Sequence, residues 1–196
     1  PPKVAPMQIV IVPIYRNEEG KNSVLPKVEE IQNKLESKDI RIHVDDREGL
    51  SPGYKFNDWE LKGVPLRIEI GPKDIENQKI VVAKRYNLEK IDLSFEEIEK
   101  IPLILDEIQV EMLKKAKEQA QNNTLEITDY LEFKSKIEKG GFFNSPWCGK
   151  LECEDKIKEE TGAEIRVIPF NSEDNTKECI YCKEPSTSIP IFARGY

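Results

Sequence analysis

The fold is decided by the stretch Asp45–Asp74, which has the sequence DDREGLSPGYKFNDWELKGVPLRIEIGPKD. The turn at Ser51-Pro52-Gly53 can begin a helix, because serine and glycine are both common helix caps. In this helix Phe56 and Glu60 are four residues apart and share one face, with Trp59 next to them. The first half of the stretch therefore predicts a short helix that carries an aromatic ring beside a carboxylate.

The second half of the stretch predicts a β-strand. Gly63 ends the helix, and the chain then alternates apolar and charged side chains over Pro65–Ile70. This alternation directs Arg67 and Glu69 to the face opposite the apolar residues. Gly71-Pro72 ends the strand and is expected to leave the two residues that follow on a loop.

Those two residues, Lys73 and Asp74, complete a set of aromatic, acidic and basic side chains that suits the binding of an unpaired base. A base in a single-stranded loop can stack on an aromatic side chain and be hydrogen-bonded along its edges. Guanine needs carboxylates for its N1–H and N2–H donors and arginine or lysine for O6 and N7. On the pattern alone, an ordinary helix packed on a strand is favoured, with Phe56 and Trp59 in the core and the charges in solvent.

Around this stretch the chain alternates predicted strands and helices. Ser23 is a candidate cap for an amphipathic helix through about Lys38. Strands are predicted at Gln8–Ile14, Arg41–Val44 and Lys79–Lys84. The order predicts a three-layer α/β domain with a mainly parallel mixed sheet.

The remainder of the chain predicts a smaller α+β unit. A long helix is expected from Leu103 to about Asn122, and Thr128 or Asp129 can cap another helix. A further helix is predicted at Leu151–Thr161, followed by a strand at Glu164–Ile168.

Four cysteines in this second part have the spacing of a metal site: Cys148, Cys153, Cys179 and Cys182. Two pairs of thiolates, each pair three to five residues apart, can fill a tetrahedral zinc shell. Two disulfides or free thiols are the alternatives, and reducing compartments disfavour disulfides. A shell filled by four thiolates leaves no position for water, so the predicted zinc is structural.

Composition and motifs limit the function. The net charge of −7 argues against a general nucleic-acid binder, although the window Lys55–Lys90 holds eight basic and six acidic residues. No apolar run is long enough for a membrane helix, and no phosphate-binding glycine loop or nucleophile elbow is present. The adjacent Asp45 and Asp46 are expected to be solvated, and the single histidine, His43, lies in a predicted strand. The sequence itself therefore predicts no catalytic site.

Three segments of the sequence resemble those of a known protein family. PGYKFNDWELKGVPLRIEIGPKD, the opening PPKVAPMQIVIVPIYR, and the four-cysteine tail ending in ARGY resemble prolyl-tRNA synthetases of the archaeal/eukaryotic type. The resemblance implies an anticodon-binding domain at residues 1–103 and a connecting helix with a zinc-binding C-terminal domain at residues 104–196. It implies contacts with the two guanines of proline anticodons from Phe56, Glu60, Arg67, Lys73, Asp74 and Arg85.

The resemblance has further implications for the whole protein. It implies a C-terminal fragment of a cytoplasmic, homodimeric proline–tRNA ligase, whose separate catalytic domain would use ATP and magnesium. The terminal Tyr196 carboxylate would lie near that domain's active site. The alternative interpretation is a free-standing accessory or protein-interaction module with the same fold. A small-molecule hydrolase is a weaker possibility, because no nucleophile or base is evident.

Overall fold

The computed structural model describes residues 1–173 and 176–195 of the chain. The chain forms two compact units, Pro1–Lys115 and Ala116–Tyr196, which divide within a long helix. The expected domain boundary between residues 103 and 104 stays a prediction. No helix in the described part of the chain has the length and apolarity needed to cross a membrane.

The first unit alternates strands and helices, as the sequence predicts. Its elements in chain order are β1 (Ile9–Pro13), α1 (Glu18–Glu36), β2 (Ile42–Val44), α2 (Pro52–Leu61), β3 (Leu66–Ile70), α3 (Pro72–Glu76), β4 (Lys79–Lys84), β5 (Lys90–Ser94), a 3-10 helix (Phe95–Lys100) and α4 (Ile101–Asn122).

The five strands form a mixed sheet in the order β2-β1-β3-β4-β5. β1 pairs in parallel with β2 and β3, whereas β3–β4 and β4–β5 are antiparallel. The predicted mixed α/β sheet is confirmed, but the parallel pairs do not outnumber the antiparallel ones. The reason is that parallel strands need a crossover connection of a dozen or more residues, and the segment between β3 and β4 is too short for one.

The two faces of this sheet bury different sets of residues. The face formed by Ile9, Ile11 and the apolar residues of β3 packs against α1, the 3-10 helix and α4 in one large core. The opposite face carries Val10 and Val12, which pack with Val64 and the aromatic side chains of α2. Because side chains alternate along β3, Arg67 and Glu69 lie on the α2 face.

The predicted N-terminal cap of α2 is confirmed, whereas that of α1 is not. Ser51 caps α2 by accepting a hydrogen bond from the backbone N–H of Tyr54, as predicted. The prediction that Ser23 caps the first helix is wrong, because Asn17 caps α1 and Ser23 donates to the carbonyl of Gly20 within it. The first turn of α1 consists mostly of polar residues, so the apolar periodicity that predicts the helix does not show where it begins.

The predicted loop after β3 is also wrong, since Pro72–Glu76 forms the short helix α3. Proline is favoured in the first turn of a helix, where its missing N–H costs nothing. Asp74 accepts a hydrogen bond from the backbone N–H of Gly71 at 2.8 Å and so stabilises the start of α3. The helical conformation therefore assigns Asp74 a capping role.

The second unit is a small α+β unit. Its elements after α4 are β6 (Thr124–Glu126), α5 (Tyr130–Ile137), β7 (Phe142–Asn144), α6 (Leu151–Thr161), β8 (Ala163–Val167) and β9 (Ile191–Arg194). The strands form one sheet in the order β6-β7-β9-β8, and Asp129 caps α5 as predicted. Phe133 meets Phe143 and Phe192 edge to face, with ring centroids 5.7 and 5.6 Å away, and all three rings are buried.

Candidate nucleic-acid interface and metal centre

The candidate interface is built on one row of residues that crosses the sheet of the first unit. Strand register aligns Val10 of β1 with Arg67 of β3, Arg67 with Ala83 of β4, and Ala83 with Lys90 of β5. All four line a cleft of about 230 Å³. The register of the sheet thus places two cations on the floor of one cleft.

Arg67 is the central side chain of this cleft. It is almost fully buried and contacts two carboxylates: Nη1 lies 2.7 Å from Glu60, while Nε and Nη2 lie 3.1 and 3.0 Å from Glu69. Its guanidinium also lies over the ring of Phe56, 4.1 Å from the centroid. The hydrogen bonds from Nε and Nη1 use two of its five N–H groups, so N–H groups on Nη1 and Nη2 remain for a ligand.

The other charges of the cleft are fixed by the same network. Lys90 lies 2.8 Å from Glu69, which therefore bridges it to Arg67. Arg85, at the end of β4, donates through Nε to the backbone carbonyl of Glu60 at 2.8 Å. Glu60 keeps 38% of its side chain exposed. Its carboxylate is accordingly held by Arg67 while it remains accessible to a ligand.

Phe56 supports Arg67 and does not line the cleft. The residues that line the cleft are Val10, Trp59, Glu60, Val64, Arg67, Ala83, Lys84, Arg85, Leu88 and Lys90. Phe56 packs beside Trp59 against the valines of the sheet, and one face of its ring is covered by the Arg67 guanidinium. The ring therefore stacks on an arginine that itself faces the cleft.

Of the six residues predicted to contact RNA, the structure brings four together and separates two. Phe56, Glu60, Arg67 and Arg85 meet on the α2 face. Lys73 and Asp74 belong to α3, which packs beside α1 and whose Ile75 joins the core of the opposite face. Lys73 is exposed there, and the Asp74 carboxylate caps its own helix.

A second polar network holds α2 in place, and it contains a residue that the sequence misassigned. Asp45, which was expected to be solvated, is fully buried at the end of β2. Its carboxylate accepts hydrogen bonds from Nε and Nη2 of Arg47 at 2.8 and 2.7 Å and from the indole N–H of Trp59 at 2.8 Å. Lys55 donates to its backbone carbonyl at 2.9 Å, and Arg47 also contacts Asp58 at 2.7 Å.

This network determines the charge of the buried carboxyl. Burial alone would raise the pKa of Asp45, but hydrogen bonds from Arg47 and Trp59 together with the nearby Lys55 hold it well below its usual range. Asp45 is therefore ionised at neutral pH. Directly and through Arg47, it connects the end of β2 to two adjacent turns of α2, the helix that carries Phe56 and Glu60.

The four cysteines of the second unit converge on one point. Their sulfur atoms all lie within 4.8 Å of one another, with Cys148 3.6 Å from both Cys153 and Cys182, and all four are free thiols. A tetrahedral shell with Zn–S bonds of about 2.3 Å places its sulfurs about 3.8 Å apart. The cluster therefore has the donor set and the dimensions for a metal ion.

The local environment affects these thiols in different ways. Burial raises the pKa of Cys148 and of Cys153. Burial also acts on Cys179, but backbone N–H groups of Cys182, Tyr181 and Cys148 donate to its sulfur and hold its pKa below the ordinary value. Backbone donors of this kind stabilise thiolate, the form that binds metal.

Two residues that line the cleft, Leu88 and Lys90, and one that pairs with its cations, Glu69, were not predicted as site residues from the sequence. Glu69 was placed on the correct face of its strand, and its i, i+2 spacing from Arg67 was the available signal. Lys90 and Leu88 reach the cleft only through the pairing of β4 with β5, which the sequence pattern did not reveal. Tyr196, predicted to approach an active site, lies outside the described residues.

Comparison with known proteins identifies both parts of the chain. A family model described as "Anticodon binding domain" matches residues 8–103, and one described as "Prolyl-tRNA synthetase, C-terminal" matches residues 130–196. The whole chain is 46% identical to a proline--tRNA ligase of Acetoanaerobium sticklandii and 44% identical to one of Cenarchaeum symbiosum. It is 43% identical to proline--tRNA ligase 2 of Clostridioides difficile. The chain spans about 40% of the length of these relatives.

Proposed function

Since this chain belongs to the prolyl-tRNA synthetase family, we propose that its first unit binds the anticodon loop of proline tRNA through the cleft around Arg67. The observation that carries the proposal is the meeting of Glu60, Arg67 and Lys90 in one cleft, with Phe56 stacked behind the arginine. A partly exposed carboxylate and two cations are the hydrogen-bonding partners that a guanine edge requires, and the Phe56 ring supports the arginine from behind.

The charges suggest how the base would be oriented. Glu60 would accept from the N1–H and N2–H donors of a guanine, while the remaining N–H groups on Nη1 and Nη2 of Arg67 would donate toward O6 and N7. Adenine presents an acceptor at N1, which the Glu60 carboxylate would repel. The two partners of the existing Glu60–Arg67 ion pair thus match the two halves of one guanine edge.

The cleft also offers charge for the RNA backbone. Its lining carries four cations, Arg67, Lys84, Arg85 and Lys90, and all but Arg85 are paired with three carboxylates, those of Glu60, Glu69 and Glu89. This contrasts with the chain as a whole, which has a net charge of −7. Phosphate contacts supply most of the sequence-independent affinity of a nucleic-acid complex. We therefore expect modest affinity that is localised to this face.

The whole protein is proposed to be a proline–tRNA ligase. In that protein a catalytic domain would use ATP and magnesium to attach proline to the bound tRNA, and the enzyme would act as a homodimer in the cytoplasm. Support comes from the name shared by the relatives, proline--tRNA ligase, and from the match over the whole of this chain.

The four-cysteine cluster is proposed to hold a structural zinc ion. Cys148, Cys153, Cys179 and Cys182 supply four sulfurs, and three of them are buried. A zinc ion bound there would join the residues before α6 to the loop that precedes β9 and would add its binding energy to folding. With its shell filled by thiolates, the ion would have no open position for substrate.

The proposed function is tested by substituting Arg67 in the full-length protein. Arg67→Met should remove about 1–3 kcal/mol of preference for guanine over adenine in the anticodon, because the donors to O6 and N7 are lost. The measurement is aminoacylation of proline tRNA and of transcripts with one anticodon guanine changed to adenine. Activation of proline without tRNA should stay at the level of the parent protein.

The matched control is Arg16→Ala, which removes an exposed arginine outside the cleft. It should change neither guanine preference nor stability. Equal loss of proline activation and tRNA charging in Arg67→Met would indicate misfolding. Unchanged guanine preference in a folded Arg67→Met protein would refute the proposal.

A further inference from the structure

Leu88 combines an unfavourable backbone conformation with an exposed apolar side chain. Its φ is 63°, in the left-handed region that favours glycine and asparagine, and 73% of the residue is exposed. The described residues include three other non-glycine positions with positive φ, and those carry the polar residues Asp39, Gln78 and Lys183. Backbone strain of this kind persists where the surrounding structure holds it, often at a functional site.

The hairpin loop that carries Leu88 is held on both sides. The backbone N–H of Lys84 donates to the carbonyl of Glu89 at 2.9 Å, which closes the loop between β4 and β5. Arg85 is joined to α2 through the carbonyl of Glu60, and Tyr86 packs against the large core. The strained residue is therefore presented by a fixed loop.

Leu88 gives the cleft an exposed apolar surface, which the other residues of its lining lack. The remaining apolar residues of the lining are Val10, Val64, Ala83 and Trp59, which are buried or half-buried. Phe56 does not line the cleft, and Arg67 covers one face of its ring. Leu88 is thus the exposed apolar side chain at the cleft, and Arg85 and Lys90 flank it along the chain.

We propose that Leu88 contacts the face of an unpaired base bound in the cleft, and that its strained conformation is retained for this contact. The inference rests on the proposed binding of RNA at the cleft and adds a residue that hydrogen-bond chemistry does not predict. An apolar contact to a base face is indifferent to sequence, because every base has such a face. Leu88 should therefore contribute affinity without contributing preference for guanine.

Three substitutions in the full-length protein separate this role from a structural one. Leu88→Gly removes both the strain and the side chain, Leu88→Asn tolerates the left-handed conformation but is polar, and Leu88→Met keeps an apolar side chain. The probe is an RNA stem-loop with the anticodon UGG, and the Kd is measured together with the midpoint of thermal unfolding. A second stem-loop, with one guanine changed to adenine, measures preference.

We expect the Gly and Asn variants to bind the UGG stem-loop about fivefold more weakly, near the lower end of the range for base stacking. Their thermal midpoints should equal or exceed that of the parent, and their preference for guanine should be unchanged. The Met variant should bind like the parent. Weaker binding in a protein that is equally or more stable is not expected of a purely structural residue.

Arg67→Met in the same assay distinguishes failure of this inference from failure of the proposed function. If Arg67→Met weakens binding and Leu88→Gly does not, the role of Leu88 is overturned while the cleft remains the binding site. If neither variant weakens binding, both proposals fail. Equal weakening by the Met and Gly variants would also overturn the inference, because an apolar side chain would then not restore the contact.

Discussion

Replacement of Asp45 by asparagine tests whether the buried carboxylate holds α2 on the sheet. The substitution conserves shape, removes one charge, and turns an amide N–H toward groups that are themselves donors. Removal of one partner from a buried ion pair costs about 3–5 kcal/mol when the other partner is left uncompensated. Here the partners keep other contacts: Arg47 is 39% exposed and retains Asp58, and Lys55 retains the carbonyl of residue 45. We therefore expect a loss of about 2–3 kcal/mol in the free energy of unfolding, below the range for a stranded charge.

The pH dependence of this loss provides an independent test. The pKa of Asp45 is depressed in the folded protein, so its stabilisation is fully present above the unfolded pKa of about 4 and disappears as the pH falls toward the folded value. The difference in unfolding free energy between the parent and Asp45→Asn should thus be constant above about pH 5 and should shrink at lower pH. Urea unfolding at several pH values, followed by circular dichroism and tryptophan fluorescence, measures this difference.

The control for this experiment is Asp46→Asn, the same substitution at the exposed neighbouring residue. It should change the unfolding free energy by less than about 0.5 kcal/mol, as is usual for the surface. The reasoning is refuted if Asp45→Asn at pH 7 is as stable as Asp46→Asn, or if the difference between Asp45→Asn and the parent grows as the pH falls.

Two further predictions concern the second unit. Cys153→Ser should remove one of the four proposed metal ligands, so the zinc content should fall and the second unit should unfold at lower temperature. Trp147 fluorescence in a Trp59→Phe background reports the unfolding of this unit. Equal zinc content in parent and variant would contradict the proposed zinc site. Gly162→Ala should destabilise by about 1–2 kcal/mol in urea unfolding, because Gly162 ends α6 with a φ of 71° that alanine adopts poorly. Gly53→Ala is the control, since Gly53 lies in α2 at an unstrained φ with open space around it, and an equal loss there would argue against the role of φ.

The part of the candidate site that lies on α2 and β3 could be predicted from the sequence, because its geometry depends on residues close together in the chain. Phe56 and Glu60 share a face through the helical period, and Arg67 and Glu69 share one through the strand period. A short helix followed directly by a strand leaves little freedom in how the two faces meet. The α/β fold class and the mixed sheet followed from the same periodicities.

The position of Lys90 and the burial of Asp45 could not be predicted, because both depend on contacts between residues that are distant in the sequence. Lys90 reaches Arg67 through two successive strand pairings, and one residue of slip would direct it to the other face. Asp45 becomes buried only because Arg47, Lys55 and Trp59 converge on it from a loop and a helix. Adjacent carboxylates carry no sign of such partners, so the general rule for surface charges gave the wrong expectation.

The arrangement around Arg67 has a consequence for how a base can bind. In the free protein the Arg67 guanidinium already donates hydrogen bonds to both Glu60 and Glu69. A ligand that offered only negative charge would compete with two carboxylates already in place and would gain little from this arginine. A guanine edge presents donors to Glu60 and acceptors to Arg67 at once, so it satisfies both partners even if their own contact lengthens. Under the proposed function, the carboxylates that lower the affinity of the cleft for a plain anion would therefore provide its means of selecting a base.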